Sequence, residues 1–207
     1  MITCKQITKR FGNVTALAPF DLSLDKGEFV AIKGASGSGK TTLLLALGGM
    51  LRPTAGEIHY KGSDLYGRSS ASLAEYRSQE VGFVFQMFHL VPYLAVEENV
   101  KLALPNGNNS GRALELLEQF GLTDRLTHTP GELSAGERQR VALARALVSE
   151  PEMILADEPT GNLDPENDRQ VFKYLSEYHQ KGGTVAVVTH GSTADEFADR
   201  IVKLKAD

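Results

Sequence analysis

From Glu28 to Leu47 the chain runs EFVAIK, GASGSG, KTTLLLAL, so that two apolar segments are held apart by glycine and serine. Free backbone is costly to order, and its place between two pieces of core demands a reason. Glu28–Lys33 reads as a short buried strand and Thr41–Leu47 as a helix. Gly34, Gly39, Lys40 and Thr41 stand at the fixed positions of G-x-x-x-x-G-K-[ST], the phosphate-binding loop. Glycine lets backbone N–H groups along Gly34, Ser36, Gly37, Ser38 and Gly39 approach a phosphate closely. The start of the following helix adds unpaired N–H donors and the positive end of its dipole. Lys40 is placed to reach the outer phosphates, the Thr41 hydroxyl to ligate Mg²⁺, and Thr42 to complete the loop. The loop predicts nucleotide binding and by itself nothing further, because many machines share it.

At 207 residues the chain suits one α/β domain with a small subdomain. A formal net charge of -4 offers no bulk attraction to nucleic acid or anionic membrane, and no nucleic-acid partner is expected. The single cysteine, Cys4, excludes an internal disulfide and accords with a reducing compartment. It falls in a strand pattern, where it packs rather than reacts. The N-terminal MITCKQITKRFG lacks the apolar centre of a signal peptide. No apolar run approaches the ~20 residues of a spanning helix. A soluble protein is expected, with any membrane role reached through a partner.

Along the chain, Ile2–Thr8 and Ala16–Leu24 read as strands joined by a turn at Phe11–Asn13. Gly56–Lys61 (GEIHYK) alternates like an exposed strand, Ser72–Gln79 reads as a short helix and Val81–Phe85 (VGFVF) as a buried strand. From Gln86 to about Leu133 helical patterns take over, with Val96–Leu104 and Gly111–Phe120 on either side of the breaker cluster Pro105–Ser110. Ser134–Val148 is a long amphipathic helix, Met153–Ala156 a strand, Glu166–Gln180 a helix, and Thr184–Thr189 and Ile201–Leu204 strands. Strands alternating with helices predict a mostly parallel sheet covered on both faces. The expected fold is a single α/β domain over 1–207: a phosphate-loop NTPase core with a small antiparallel β subdomain (1–85 and 134–207) and a helical insertion over about 87–133.

In EMILADEP, an apolar strand ends in Asp157 and Glu158. Asp157 is placed to hold Mg²⁺ directly or through water, and Glu158 to orient or deprotonate an attacking water. In LSAGE, Ser134 and Glu137 have capping-box spacing at the start of a helix. A helix start carrying Ala135 and Gly136 in its first turn is also an open anion site. If a helical insertion carries it to the far end of the domain, it serves the phosphates of a second copy. His59, His89, His128 and His179 lack metal-ligand spacing and are expected on the surface or in the subdomain, and Arg138 and Arg140 on a solvated face or, alternatively, in support of the loop that opens their helix.

LSAGERQRVALARAL resembles the signature of ATP-binding-cassette (ABC) ATPases, commonly LSGGQ or LSGGE, and the likeness runs through nearly the whole chain in the family's motif order. Phe11 in KRFG takes the place of the aromatic that stacks on adenine, and Gln86 in VFQ that of the glutamine that contacts Mg²⁺ and couples to a membrane partner. Asp164 in TGNLD matches the family's loop that crosses the dimer interface, and His190 in VVTH its switch histidine near the γ-phosphate. The resemblance implies an ATPase that binds MgATP, pairs head to tail with a second copy (a homodimer) and drives an integral membrane permease from the cytoplasmic face of the inner membrane. It assigns Glu158, His190, Gln86 and Lys40 to catalysis and Thr41, Gln86 and Asp157 to Mg²⁺. Ser134, Gly136 and Glu137 would then reach ATP held by the other copy. ADEPTGNLD and FVFQMFHLVPYLAVEENV are similar to the branch serving lipoprotein release, macrolide export, antimicrobial-peptide export and cell division. Ala135 replaces a commoner glycine, Gly191 stands where Asp is frequent, Leu104–Arg112 is short, and the chain stops soon after the last strand. Two rival expectations are a soluble ABC-type ATPase of translation or DNA repair and a nucleotide-regulated binding module. A guanine-binding N-K-x-D is missing.

Overall fold

Two strand patterns, one alternating and one apolar throughout, sort into two sheets. The computed structural model describes residues 1–104, 110–161 and 163–204. Most of the breaker cluster (105–109), and with it the length of the Leu104–Arg112 stretch, lies outside the described residues, as does Asn162 of TGNLD.

β1 (Ile2–Phe11) and β2 (Val14–Leu24) form a long antiparallel hairpin, paired from Ile2–Leu24 out to Phe11–Val14. β4 (Ala55–Tyr60) adds to the other edge of β1, and the short β5 (Ser63–Asp64) to β4. β4 is not the exposed strand its alternation suggests: Ile58 and Tyr60 are buried beneath the sheet.

The second sheet is parallel, in the order β6 (Val81–Val84), β7 (Met153–Asp157), β8 (Thr184–Thr189), β3 (Phe29–Lys33), β9 (Arg200–Lys203). β7 and β8 are buried along their whole length, as parallel strands covered on both faces must be. Alternate residues feed opposite layers. Val30, Ile32, Leu155 and Val188 pack with α1 (Lys40–Leu47) and the antiparallel sheet. Phe29, Ala31, Ile154 and Val187 pack with α5 (Ala135–Leu147) and α6 (Pro165–Gln180). The two sheets are joined where the Tyr60 hydroxyl donates to Glu80 at 2.8 Å and Lys61 bonds both Glu80 and Glu152.

The helix expected at Ser72–Gln79 is two pieces, α2 (Ser70–Glu75) and a π-helical turn over Tyr76–Glu80 that swings the buried Tyr76 onto the Leu47 carbonyl. Between β6 and α5 lie α3 (Val96–Lys101) and α4 (Ser110–Gln119), whose apolar faces join the α5 layer. The segment entering this region is pinned by side chains rather than by secondary structure. Phe88 and His89 hold left-handed backbone (φ 61° and 49°), a conformation that costs about 1–3 kcal/mol per residue. Arg145 of α5 donates to both of their carbonyls at 2.7 Å. The buried Asn99 holds Val91, Leu94 and Ala95 in the same way.

His179 is partly buried: it stands edge-on to buried Phe29 at 5.8 Å, with its Nε2 3.5 Å from Asp199. Cys4 is buried, and burial pushes its thiol up to about 12. Gly82 of β6 lies so close to α5 that a Cβ would overlap the Ala146 carbonyl and meet Ile154 Cδ1 at 2.5 Å. Gly82→Val is expected to destabilise the protein by at least about 1–3 kcal/mol, read as a lower urea midpoint with an unchanged slope.

Candidate nucleotide site

The parallel register sets the site. Lys33 is level with Thr189, and Asp157 with Val188. The loop after β3, the two carboxylates ending β7 and the histidine after β8 therefore emerge along one edge of the sheet. The loop turns through Gly37 (φ 80°) and Gly39 (φ 92°) before α1 begins at Lys40. A Cβ on Gly37 would meet nothing, so that face is open to a ligand. A Cβ on Gly39 would overlap the Ala16 carbonyl oxygen. Ser38 is buried, and its hydroxyl has no partner among the described residues. The Lys40 ammonium donates to the Gly34 and Ala35 carbonyls at 2.9 and 3.1 Å and lies 3.7 Å from Glu158 Oε1.

Opposite the loop, Asp157 is 8% exposed and its Oδ1 has no hydrogen-bond partner among the described residues. Burial raises its carboxyl above the usual range, against a Thr41 hydrogen bond and the Lys40 charge that pull it down. A buried carboxylate with a free oxygen beside a threonine hydroxyl suits a hard divalent cation such as Mg²⁺. Glu158 departs from ordinary backbone at φ 43°, while its N–H donates to the Val188 carbonyl at 2.9 Å and so extends the β7–β8 ladder. Its Oε2 accepts from the His190 N–H at 3.2 Å and lies 2.9 Å from the ring Nδ1. The His190 side chain is otherwise open, 72% exposed. Strain in a non-glycine residue at such a position marks a site whose geometry is imposed by its surroundings.

The resulting cleft holds about 420 Å³ and is lined by Ser36, Gly37, Gly39, Lys40, Thr41, Thr42, Gln86, Asp157 and Glu158. The Gln86 amide rests against Gly161, where a Cβ would stand 3.0 Å from Nε2. Val14, Thr15 and Ala16 close the remaining side. The sequence reading missed these three, whose only signal is their position after the β1–β2 turn. Phe11 does not line the cleft. It pairs with Val14 across the hairpin, 54% exposed, with the Lys9 ammonium 5.1 Å from its ring centre.

The signature residues are not in the cleft. Ser134 caps α5: its hydroxyl accepts from the Glu137 N–H at 3.2 Å, while Glu137 accepts from the Ser134 N–H at 2.8 Å and from Arg125 Nε at 2.9 Å. The Ser134 N–H, aided by the Arg125 guanidinium, brings the Glu137 carboxyl down to about 2. Asp164 caps α6, accepting from the N–H groups of Glu166 and Asn167. Arg138 and Arg140 do not form a solvated face. Arg138 donates to the Leu133 carbonyl at 2.9 Å with its guanidinium 5.7 Å from the Phe88 ring centre, and Arg140 donates to Asn167 Oδ1 at 3.2 Å. Among the described residues no group of His, Cys, Asp and Glu stands ready to hold a metal by itself.

Residues 17–161 match the family model described as ABC transporter. The chain belongs to the ABC transporter family. Its phosphate loop, carboxylate-ended strand and capped signature helix are those of an ATP-binding cassette, an ATPase domain. The chain is 42% identical to the lipoprotein-releasing system ATP-binding protein LolD of Geobacter metallireducens, over 99% of its own length and 95% of the relative's. It is also 42% identical to the macrolide export ATP-binding/permease protein MacB 2 of Aeromonas hydrophila, but spans only 33% of that protein. Among solved structures, the dimeric post-hydrolysis state of the ATP-binding cassette MJ0796 bound to ADP and Pi superposes with a TM-score of 0.91 at 36% identity, covering 100% of this chain and 97% of that one. This cassette thus shares sequence with members of the lipoprotein-release and macrolide-export branch and its fold with the cassette MJ0796.

The depressed Glu137 carboxyl has a pH consequence. Its contribution to stability is complete above the ordinary value of 4.5 and is lost as pH falls toward 2. Glutamine keeps the capping-box shape but cannot ionise. The stability gap between the cassette and Glu137→Gln, read from urea unfolding, is expected to shrink steadily between pH 4.5 and 2.

Proposed function

We propose that this cassette is the ATP-hydrolysing subunit of a complex in which two identical copies close head to tail over MgATP and drive an integral membrane permease, working from the cytoplasmic face of the inner membrane. One observation supports it above all: the described residues build half a site. Lys40, Thr41, Gln86, Asp157 and Glu158 line one cleft, while the donor-bearing start of α5 at Ser134–Gly136 takes no part in lining it. A second copy would supply that other half, as the dimeric state of the similar cassette suggests.

In this reading Gly34–Thr42 cradles the phosphates of the substrate, and Lys40 exchanges its carbonyl contacts for phosphate oxygens. Thr41, Asp157 and Gln86 would hold Mg²⁺, which supplies positive charge to the phosphate oxygens and fixes their orientation. Glu158 takes a proton from the attacking water, oriented by its two contacts to His190. Ser134 and Gly136 present hydroxyl and N–H donors to the γ-phosphate held by the other copy. Phe11, at the hairpin end, stacks on the adenine.

The membrane contact has a candidate surface. A groove of about 560 Å³ runs between α5 and the segments Phe83–His89 and Leu102–Leu104, lined largely by apolar atoms. Met50 and Leu102 at its rim and Met87 nearby are exposed. No helix of the described residues is long and apolar enough to cross a membrane, so docking of this groove on a permease is the expected route to the membrane. The relatives' names, a lipoprotein-releasing system protein and a macrolide export protein, support the export or release branch for the partner.

Glu158→Gln is expected to lower turnover by about a hundredfold or more while retaining ATP and forming a dimer with MgATP, read by light scattering. A variant that stays monomeric would sink the two-copy reading. Lys40→Ala is expected to lose ATP binding altogether, measured by titration calorimetry. Ser134→Arg should bind ATP as the parent does yet turn over no substrate; normal turnover would leave Ser134 as a helix cap alone.

A further inference from the structure

Asn167 sits in the first turn of α6, at a meeting point of segments that sequence reading treated separately. Its backbone N–H and its Nδ2 both donate to Asp164, at 3.0 and 2.6 Å, so it closes the cap of its own helix. Its Oδ1 accepts from Arg140 of α5 at 3.2 Å. The same amide lies against the first turn of α5. A Cβ placed on Gly136 would stand 2.5 Å from Asn167 Oδ1 and 2.8 Å from its Cγ. Gly136 is helical, with no positive φ to demand glycine. The space it leaves is filled by Asn167.

We propose that Asn167 is a positioning residue that locks the start of the signature helix to the Asp164 cap, so that the two segments present one rigid face to the second copy. The inference deepens the two-copy reading and rests on it for its functional outcome. The chemistry is specific to an amide. One end must donate to a carboxylate and the other must accept from a guanidinium, and asparagine alone does both at this reach. The expected consequence is selective. Asn167 does not line the nucleotide cleft, so a single copy binds ATP without its help. Closure of two copies depends on it, because both parts of the opposing face must stay in register.

The test places Asn167→Ala and Asn167→Asp in the Glu158→Gln background. Aspartate keeps the size and the acceptor for Arg140 but sets a second carboxylate against Asp164. Both are expected to bind ATP within about twofold of the parent, by titration with a fluorescent ATP analogue, and to weaken MgATP-dependent dimerisation at least tenfold, by sedimentation. Dimerisation within twofold of the parent in both variants overturns the inference. Hydrogen exchange on the nucleotide-free monomer gives a second readout that does not require dimers. Faster exchange in the first turn of α5, at Glu137 and Arg138, supports the lock. Faster exchange confined to Glu166–Asp168 overturns it and leaves Asn167 a local cap residue. If the Glu158→Gln parent itself fails to dimerise, the two-copy reading falls, and the exchange result alone decides whether the lock exists.

Discussion

Parallel pairing of β3, β8 and β7 is the constraint on which the rest depends. Hydrogen bonds between parallel strands fix the level at which each strand ends, and here Lys33, Thr189 and Asp157 finish within one residue of each other. Everything chemical is attached to those ends: the phosphate loop to the first, His190 to the second, Glu158 to the third. A slip of one residue in β7 would send Asp157 to the opposite face of the sheet. The buried Val, Ile, Leu and Ala side chains on both faces exclude such a slip, because each would have to exchange one layer of core for the other. The core is thus what holds a cation, two carboxylates and a histidine in a common edge.

Those groups are held against their own preference. Lys40, Asp157 and Glu158 are all largely shielded from water, and two of the three are negative. Asp157 responds by resisting ionisation, while Glu158 sits on left-handed backbone fixed by the Val188 carbonyl. Asp157 Oδ1 and Ser38 Oγ, both at this edge, have no hydrogen-bond partner among the described residues. Buried polar groups are ordinarily satisfied. At this edge the two atoms fit a site whose remaining contacts come from a charged ligand and its cation.

Local pattern made much of this legible. The phosphate loop is contiguous, and its glycines, lysine and threonine carry their chemistry in their own spacing. Asp157 and Glu158 are read from a strand's end, and the Ser134–Glu137 capping box from a four-residue interval. Long-range consequences were not legible. Nothing in the order of residues says that Arg140 reaches Asn167 across to the next helix, or that Arg138 lies by Phe88. Two arginines in a helical repeat look like a solvated face until the neighbouring helix and loop are in place. Phe11 was legible only through the motif: its exposed ring stands beside Lys9 and pairs across the hairpin with Val14, which does line the cleft. The contact of His179 with Phe29 is likewise illegible, because the two lie far apart in sequence.

Arg145 gives α5 a mechanical character. The helix has 13 residues, which makes it a rod of roughly 20 Å. At one end Glu137, part of the capping box, is tied to Arg125. Near the other end, a guanidinium grips two consecutive carbonyls of a strained turn on the rim of the apolar groove. The groove and the signature turn thus stand at the two ends of one short rod, the geometry by which a load on the first would be carried to the second as a change of angle.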